Sequence, residues 1–273
     1  MSITDFVRLI RPFNCIIAAI ACYAGYAIAL EQISFSFQIA FGMISVFLIC
    51  GGGQAINDFF DRRIDVILHP EKPIPSGKIK PKNALVFSLL LFVVGVLISA
   101  LLPVASTLIA IVFSLLLVFY SALIQKLKFL GNFVVALGTA FTIIFGAAIV
   151  SVTPTIILLA VSAFLSNVAR EIIKDFEDMH ADRGKKISLA VIFPKRVVQL
   201  VVLFFYALAI VTVYLPFFFG FFGNVWYIFL VSIANAIFIY SFILVIYEKY
   251  DGAQLASKAG MIIALIAFLS GVF

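Results

Sequence analysis

The sequence is poor in charged residues and in cysteine, and it lacks the patterns of a soluble or secreted protein. Charged residues make up 12% of the 273 positions and apolar residues 64%, which leaves too little polar surface to cover a soluble domain. The three cysteines lie in apolar runs without C-x-x-C spacing, so neither a disulfide framework nor a zinc site is indicated. No small-residue cleavage pattern follows the N-terminal segment 1–11, and we therefore expect no removable signal peptide.

Long apolar runs predict an all-α, polytopic membrane protein. The runs reach roughly 18 residues or more, the length at which a helix crosses the hydrocarbon core, and no segments of alternating hydrophobicity indicate a β-barrel. We expect a single transmembrane domain, 1–273, built as a bundle of nine transmembrane helices. The predicted spans are 13–30, 37–57, 83–101, 105–124, 130–150, 155–173, 196–218, 224–247 and 255–272.

The basic residues sort to alternate connections between these spans. All 19 lysines and arginines fall in the N-terminal segment or in and beside the connections after the second, fourth, sixth and eighth spans, with Arg170, Arg196 and Lys258 just inside the ends of spans. The positive-inside rule places this side of the cell membrane, with the N-terminus, in the cytoplasm. The opposite connections are short and nearly uncharged, so we expect the active site in a polar cap on the cytoplasmic side. This topology accounts for the net charge of +6, and we expect no nucleic-acid partner.

Two acidic groups of the same spacing lie at the ends of the second and sixth spans. Each has carboxylates at i, i+3 and i+7, which share one helical face. The two groups are Asp58, Asp61 and Asp65, and Asp175, Asp178 and Asp182. Like charges on one face repel unless a cation lies among them, and an oxygen-only ligand set suits Mg²⁺ shared with substrate phosphates. A helix end that enters water is also often charged, but the repeated spacing favours a Mg²⁺ and diphosphate site.

Basic and aromatic residues flank the acidic groups. The segment from His69 to Lys78 is rich in proline and glycine and predicts an ordered loop. Tyr120 precedes Lys126 and Lys128 at the end of the fourth span. These residues either contact a diphosphate or serve as topological and interfacial anchors, and the pattern alone leaves both interpretations open.

Five segments resemble those of the UbiA family of intramembrane prenyltransferases. They are Leu9-Ile10-Arg11-Pro12-Phe13-Asn14, Asn57-Asp58-x-x-Asp61-x-x-x-Asp65, Lys72-Pro73-Ile74-Pro75-Ser76-Gly77, Tyr120 with its basic loop, and Asp175-x-x-Asp178-x-x-x-Asp182. The resemblance implies a nine-helix bundle with a lateral opening to lipid, which transfers a prenyl group from its diphosphate with Mg²⁺. It implies a catalytic set in which all members except Asp58 bind Mg²⁺: Asn57, Asp58, Asp61, Asp65, Asp175, Asp178 and Asp182.

Within this family the chain most resembles archaeal digeranylgeranylglyceryl phosphate synthases. The similarity rests on Arg170-Glu171-Ile172-Ile173-Lys174-Asp175 and Leu130-Gly131-Asn132. The chain departs from that pattern at Ser188-Leu189-Ala190, in place of a Thr-Leu-Pro-like stretch, and at Gln125, in place of a cation. The resemblance implies geranylgeranyl diphosphate as donor and geranylgeranylglyceryl phosphate, a phosphorylated prenyl-glycerol, as acceptor. The residues implied in substrate contacts are Arg11, Asn14, Lys78, Tyr120, Lys126, Lys128, Arg170 and Lys174.

Two other functions compete with this interpretation. An aromatic ring could be the prenyl acceptor, as in quinone, haem or chlorophyll biosynthesis. A cation-coupled transporter could use Asp61, Asp65 and Asp178 on its ion path. Transporter sites tend to lie near the bilayer midplane, however, whereas these carboxylates lie where predicted spans meet water.

Overall fold

The computed structural model describes residues 2–124, 127–182 and 187–273 of the chain. Within these ranges, the side chains of Leu68, Ile124, Lys128 and residues 180–182 are outside the description. The elements in chain order are α1 (Ile3–Ile10), α2 (Pro12–Leu30), α3 (Phe37–Leu68), α4 (Pro81–Ser99), α5 (Val104–Phe119), a π-helical turn (Tyr120–Ile124), α6 (Lys128–Ala147), α7 (Pro154–Asp182), α8 (Leu189–Ile192), α9 (Lys195–Phe218), α10 (Val225–Ile246) and α11 (Tyr250–Ser270). The all-α prediction is confirmed.

Nine helices of the described chain are long and apolar enough to cross a membrane. They are α2 to α7 and α9 to α11, and each overlaps one predicted span. Successive spans alternate in direction, so α3 and α7, the second and sixth spans, run the same way. We call the end of the bundle at which α3 and α7 finish the acidic end.

Three helices extend beyond their predicted spans by five residues or more at the acidic end. α3 continues to Leu68, α7 continues to Asp182, and α11 begins at Tyr250, whereas the predicted spans ended at 57 and 173 and began at 255. Lys258 lies within both the predicted ninth span and α11, so its assignment to the preceding connection was wrong. An apolar run marks only the part of a helix that faces hydrocarbon. The 32-residue α3 is about 48 Å long, so it projects well beyond a membrane core of about 30 Å.

The short helix α1 lies against the ends of α3 and α4. Its first turn is closed by a capping box, in which Ser2 and Asp5 exchange hydrogen bonds, and these bonds lower the pKa of Asp5 below its ordinary value. Leu9 is fully buried and packs with Ile74 and Ile79 from the loop after α3. This small apolar core fixes α1 and that loop beside the α3 acidic group.

α2 and α6 cross so closely that the contact requires glycine. A Cβ added to Gly25 would lie 2.0 Å from the carbonyl oxygen of Ile143, and one added to Gly146 would lie 1.8 Å from that of Cys22. Small residues permit such close approach between membrane helices. Gly25 is about 20 Å along α2 from its first residue, so the crossing lies far from the acidic end.

The two crossing helices, α2 and α6, also separate α3 from α7. α2 packs against α3, α6 packs against α7, and α3 and α7 make almost no direct contact among the residues described. The backbone of Leu127, just before α6, pairs with that of Ile187, which follows α7. The two acidic groups thus lie at the same end of the bundle, on helices that α2 and α6 hold apart.

Candidate active site

The acidic group of α3 is buried and is bound by two cations of the chain itself. Asp58, Asp61 and Asp65 are 2%, 8% and 4% exposed. Arg11 Nη2 donates to Asp58 Oδ1 at 2.6 Å. Lys72 Nζ donates to Asp65 Oδ2 at 2.8 Å and also reaches Asp58 Oδ1 at 3.4 Å. Buried carboxylates are stabilised by such partners, so the cation expected among these charges is present.

Arg11 is held at the break between α1 and α2. Its backbone is left-handed, with φ 50° and ψ 67°, a conformation that is uncommon for residues with a side chain. Pro12 follows as the first residue of α2, where its fixed φ suits the first helical turn. A left-handed residue of this kind costs about 1–3 kcal/mol, and the ion pair with Asp58 offsets part of that cost.

Lys72 reaches α3 from the hydrogen-bonded turns between α3 and α4. The Ser76 hydroxyl donates to the backbone carbonyl of Lys72 at 2.7 Å, and Gly77 adopts φ 75°, which glycine accommodates without a steric penalty. Ile74 and Ile79 are buried beneath α1. The segment is ordered as predicted, and its apolar anchors position the Lys72 ammonium over the carboxylates.

The acidic group of α7 is held by α6. Asp175 is fully buried, and Asn132 donates from Nδ2 to its Oδ2 at 2.8 Å. The π-helical turn carries Tyr120 onto α6, where a Cβ added to Gly131 would lie 2.0 Å from the Tyr120 hydroxyl. The Tyr120 phenol therefore occupies the space that a side chain at position 131 would need. Asp178, one turn beyond Asp175, is half-buried.

A second set of polar contacts lies nearer the interior of the bundle, before this group on α7. Arg170 pairs with the adjacent Glu171, and its Nε donates to Asn167 Oδ1 at 3.1 Å. Asn167 Nδ2 in turn donates to Thr139 Oγ1 on α6 at 2.7 Å. Buried polar groups require such partners, and here they fix the guanidinium below the carboxylates of α7.

The oxygen atoms at the two helix ends suit Mg²⁺. Carboxylate and amide oxygens are hard ligands. The Lys72 ammonium already bridges Asp58 and Asp65, a position that a metal ion could also take. Within the described chain, no three Asp, Glu, His or Cys side chains are close enough to hold a metal by themselves. Because Mg²⁺ is usually bound by one or two carboxylates together with substrate phosphates, these residues fit a metal that is shared with a diphosphate.

Comparison with known proteins decides the family. The sequence model of the UbiA prenyltransferase family matches residues 18–269 of the chain. The chain belongs to the UbiA prenyltransferase family. It is therefore an enzyme that transfers prenyl groups, and the resemblance noted in the sequence is confirmed.

Relatives and solved structures of the UbiA family cover almost the whole chain. A digeranylgeranylglyceryl phosphate synthase of Methanococcus maripaludis is 36% identical, over 100% of this chain and 99% of its own. One from Methanothrix thermoacetophila is 34% identical, over 97% and 98%. A solved digeranylgeranylglyceryl phosphate synthase superimposes with a TM-score of 0.81 at 33% identity, with 98% of both chains covered. A UbiA homologue from Archaeoglobus fulgidus bound to GPP and Mg²⁺ shares the fold, with a TM-score of 0.74, 17% identity and 98% of both chains covered.

Only some of the site residues predicted from the UbiA motifs contact the acidic groups in the structure. Asn57 donates from Nδ2 to Asp61 at 3.3 Å, so this amide orients a neighbouring carboxylate. Asn14 and Lys78 are exposed, and Lys78 lies near Asp5 of α1. Lys126 lies outside the described residues, as do the side chains of Lys128 and Asp182.

Three buried or half-buried residues of this UbiA site were not among the predicted contacts. They are Lys72, Asn132 and Glu171. All three belonged to segments on which the sequence resemblance rested, and that resemblance was the available signal. Their partners lie 7 to 43 residues away along the chain, a separation that only the fold reveals.

Proposed function

We propose that this UbiA enzyme transfers a geranylgeranyl group from geranylgeranyl diphosphate to the free hydroxyl of geranylgeranylglyceryl phosphate. The product carries the second ether bond of archaeal membrane lipids. The observation that carries the proposal is the similarity to digeranylgeranylglyceryl phosphate synthases, 36% identical over the full chain in one case. The agreement of the fold with the solved synthase, at a TM-score of 0.81, supports it further.

We assign Mg²⁺ binding to six residues at the acidic end, where the diphosphate of the donor would also bind. The assigned ligands are Asn57, Asp61, Asp65, Asp175, Asp178 and Asp182. When bound, Mg²⁺ would neutralise charge that develops on the departing diphosphate. The oxygen chemistry of the residues and the twofold occurrence of the spacing support this assignment.

The residues of the chain then carry the remaining steps. Arg11 and Lys72 supply positive charge beside the α3 carboxylates, which favours the diphosphate leaving group. As the bond between C1 of the donor and its diphosphate oxygen breaks, aromatic and apolar side chains exclude water from the allylic cation. The glycerol hydroxyl oxygen forms the new bond to C1, and its proton passes to the released diphosphate. Asp58 holds the two cations in place throughout.

We place the acidic end, with the N-terminus, on the cytoplasmic side of the cell membrane, and we treat 1–273 as one domain. The support is the distribution of all 19 basic residues under the positive-inside rule. Labelling of single cysteines introduced at exposed positions of the connections, in sealed cells, tests this placement. Labels that react from outside at the acidic end would contradict it.

A direct assay tests the reaction. Purified protein in vesicles receives geranylgeranyl diphosphate and Mg²⁺, with either geranylgeranylglyceryl phosphate or 4-hydroxybenzoate, and products are identified by mass spectrometry. We expect the diether phosphate from the first acceptor and no transfer to the second. Prenylation of 4-hydroxybenzoate alone would replace the proposed acceptor with an aromatic one.

A further inference from the structure

Lys72 binds two carboxylates of α3 at once, and only one of them belongs to the set assigned to Mg²⁺. Its Nζ donates to Asp65 Oδ2 at 2.8 Å and reaches Asp58 Oδ1 at 3.4 Å. Asp58 also accepts a hydrogen bond from Arg11 at 2.6 Å, and it lies outside the assigned set. The Lys72 ammonium therefore divides its contacts between an assigned metal ligand, Asp65, and a carboxylate that already holds another cation.

The backbone around Lys72 is fixed, so a change of partner is confined to its side chain. The Lys72 N–H donates to the carbonyl of His69 at 3.1 Å, and its own carbonyl accepts from the N–H of Ser76 at 3.0 Å. Ile74 and Ile79, which are 6% and 0% exposed, anchor the segment beneath α1. The ammonium lies on a flexible four-carbon stem and has three N–H donors. It can therefore exchange one hydrogen bond for another while the segment stays in place.

A metal ion on Asp65 competes with Lys72, because both cations bind the same carboxylate. Like charges repel most strongly where water screens them little, and Asp65 is 4% exposed. In the part of the chain that the structure describes, no three Asp, Glu, His or Cys side chains could hold a metal together, so few carboxylates are at hand to offset this repulsion. Lys72 therefore weakens metal binding for as long as it keeps its bond to Asp65.

A diphosphate changes this balance, because it offers the Lys72 ammonium another anion. Phosphate oxygens accept strong hydrogen bonds from ammonium groups, and they also complete the ligand shell of Mg²⁺. The contact with Asp58 keeps the ammonium beside the acidic group while its bond to Asp65 passes to a diphosphate oxygen. Asp65 then becomes available to a metal without leaving the lysine charge unpaired.

We infer that Lys72 is an exchangeable counterion, which holds Asp65 until a diphosphate arrives and thereby couples metal binding to donor binding. The inference rests on the proposed function, which makes Asp65 a metal ligand. A coupling of this kind is reciprocal, so the metal and the diphosphate each raise the affinity for the other by the same factor. The protein then binds the metal weakly by itself and strongly together with the donor.

Removal of the Lys72 charge tests this inference through metal binding alone. Without diphosphate, Lys72→Met should bind Mn²⁺, which takes the same oxygen ligands as Mg²⁺, about tenfold more tightly than the wild type, the factor that corresponds to one hydrogen bond between charged groups. Electron paramagnetic resonance of the unbound ion measures this affinity. A lysine that only orients the carboxylates predicts the opposite sign, because its loss would disorder the ligands. Equal or weaker Mn²⁺ binding by Lys72→Met overturns the inference.

Inorganic diphosphate tests the coupling itself. After correction for Mn²⁺ bound to diphosphate in solution, diphosphate should strengthen Mn²⁺ binding to the wild type by a factor about ten times larger than for Lys72→Met. Some coupling remains in the variant, because the diphosphate supplies metal ligands in both proteins. Equal coupling in the two proteins would show that Lys72 takes no part in it.

Three further variants isolate the charge at position 72. Lys80→Met removes a lysine from an exposed position of the same segment and should leave the Mn²⁺ affinity unchanged. Lys72→Arg keeps the charge and should bind Mn²⁺ about as weakly as the wild type. Lys72→Gln keeps a donor for Asp65 without the charge, so it replaces Lys72→Met if that variant does not fold, and the same gain in affinity is expected. A gain in Lys80→Met as large as that in Lys72→Met would contradict the local exchange.

Thermal unfolding gives an independent readout and separates this inference from the proposed reaction. Without diphosphate, Mg²⁺ should raise the unfolding midpoint of Lys72→Met more than that of the wild type, because a tighter ligand stabilises more; equal shifts would count against the exchange. If Lys72→Met gains metal affinity but the wild type transfers no prenyl group, the proposed reaction fails and the exchange stands. If the wild type forms the diether phosphate but both proteins bind Mn²⁺ equally, the exchange fails and the reaction stands.

Discussion

Removal of the Lys72 charge should destabilise the metal-free protein, because it leaves a buried carboxylate without its cation. The Asp65 side chain is 6% exposed and that of Lys72 is 21% exposed, with 2.8 Å between Nζ and Oδ2. Loss of one partner from a fully buried pair costs about 3–5 kcal/mol. Partial exposure of Lys72 screens the pair, and Arg11 still binds Asp58, so we expect about 2 kcal/mol for Lys72→Met. That corresponds to about 4–8 °C in the unfolding midpoint.

The buried cysteines provide the assay. Cys15 and Cys22 are buried and free, so a thiol-reactive dye reports unfolding in detergent with EDTA. Lys80→Met, at an exposed lysine of the same segment, is the control and should leave the midpoint unchanged. In the double variant Lys72→Met with Asp65→Asn, the orphaned charge is gone, and about 1 kcal/mol should be recovered. Equal midpoints for Lys72→Met and the wild type, or strictly additive losses in the double variant, would refute this reasoning.

Further predictions concern turnover, metal dependence and packing. Asp61→Ala and Asp178→Ala should each lower turnover by about 10²- to 10³-fold while the thiol assay reports a folded protein; retained activity in both would remove the metal-ligand assignment. Asn132→Leu removes the amide that donates to the α7 carboxylate and should cost about 1–3 kcal/mol of stability, and an unchanged midpoint would show that this bond is dispensable. Gly146→Ala places a methyl group against α2 and should lower the unfolding midpoint by several degrees. The control Gly223→Ala, with no atom within 4 Å of its added Cβ, should leave the midpoint unchanged. Equal effects of the two substitutions would contradict the close crossing. EDTA should stop product formation and added Mg²⁺ should restore it, as measured by mass spectrometry, and metal-independent turnover would refute the role of Mg²⁺.

The apolar runs predicted the spans well, because the need to cover about 30 Å of hydrocarbon acts on every transmembrane helix. They did not predict where helices end outside the membrane. Polar residues such as Asp65 lie on a helix beyond the predicted span, since water and the polar cap can accept their side chains there. The amphipathic α1 was also missed, because eight residues are too few for an apolar run to mark them.

The candidate site was predicted as a set of carboxylates, and its internal contacts were not. The spacing of Asp58, Asp61 and Asp65 shows that they share a helical face, and local geometry suffices for that conclusion. The bond from Asn132 to Asp175 spans 43 residues, and it depends on how α6 packs against α7. The contact of Gln254 with Glu177 likewise depends on the register of α11 against α7, which no local pattern records.

One competition experiment tests the central claim most directly. The reconstituted protein receives geranylgeranyl diphosphate, Mg²⁺ and equal amounts of geranylgeranylglyceryl phosphate, geranylgeranylglycerol and 4-hydroxybenzoate in a single reaction, and mass spectrometry measures the products. The account predicts that digeranylgeranylglyceryl phosphate dominates and that Asp61→Ala abolishes it. A dominant prenylated aromatic product, or no prenylated product at all, would contradict the account.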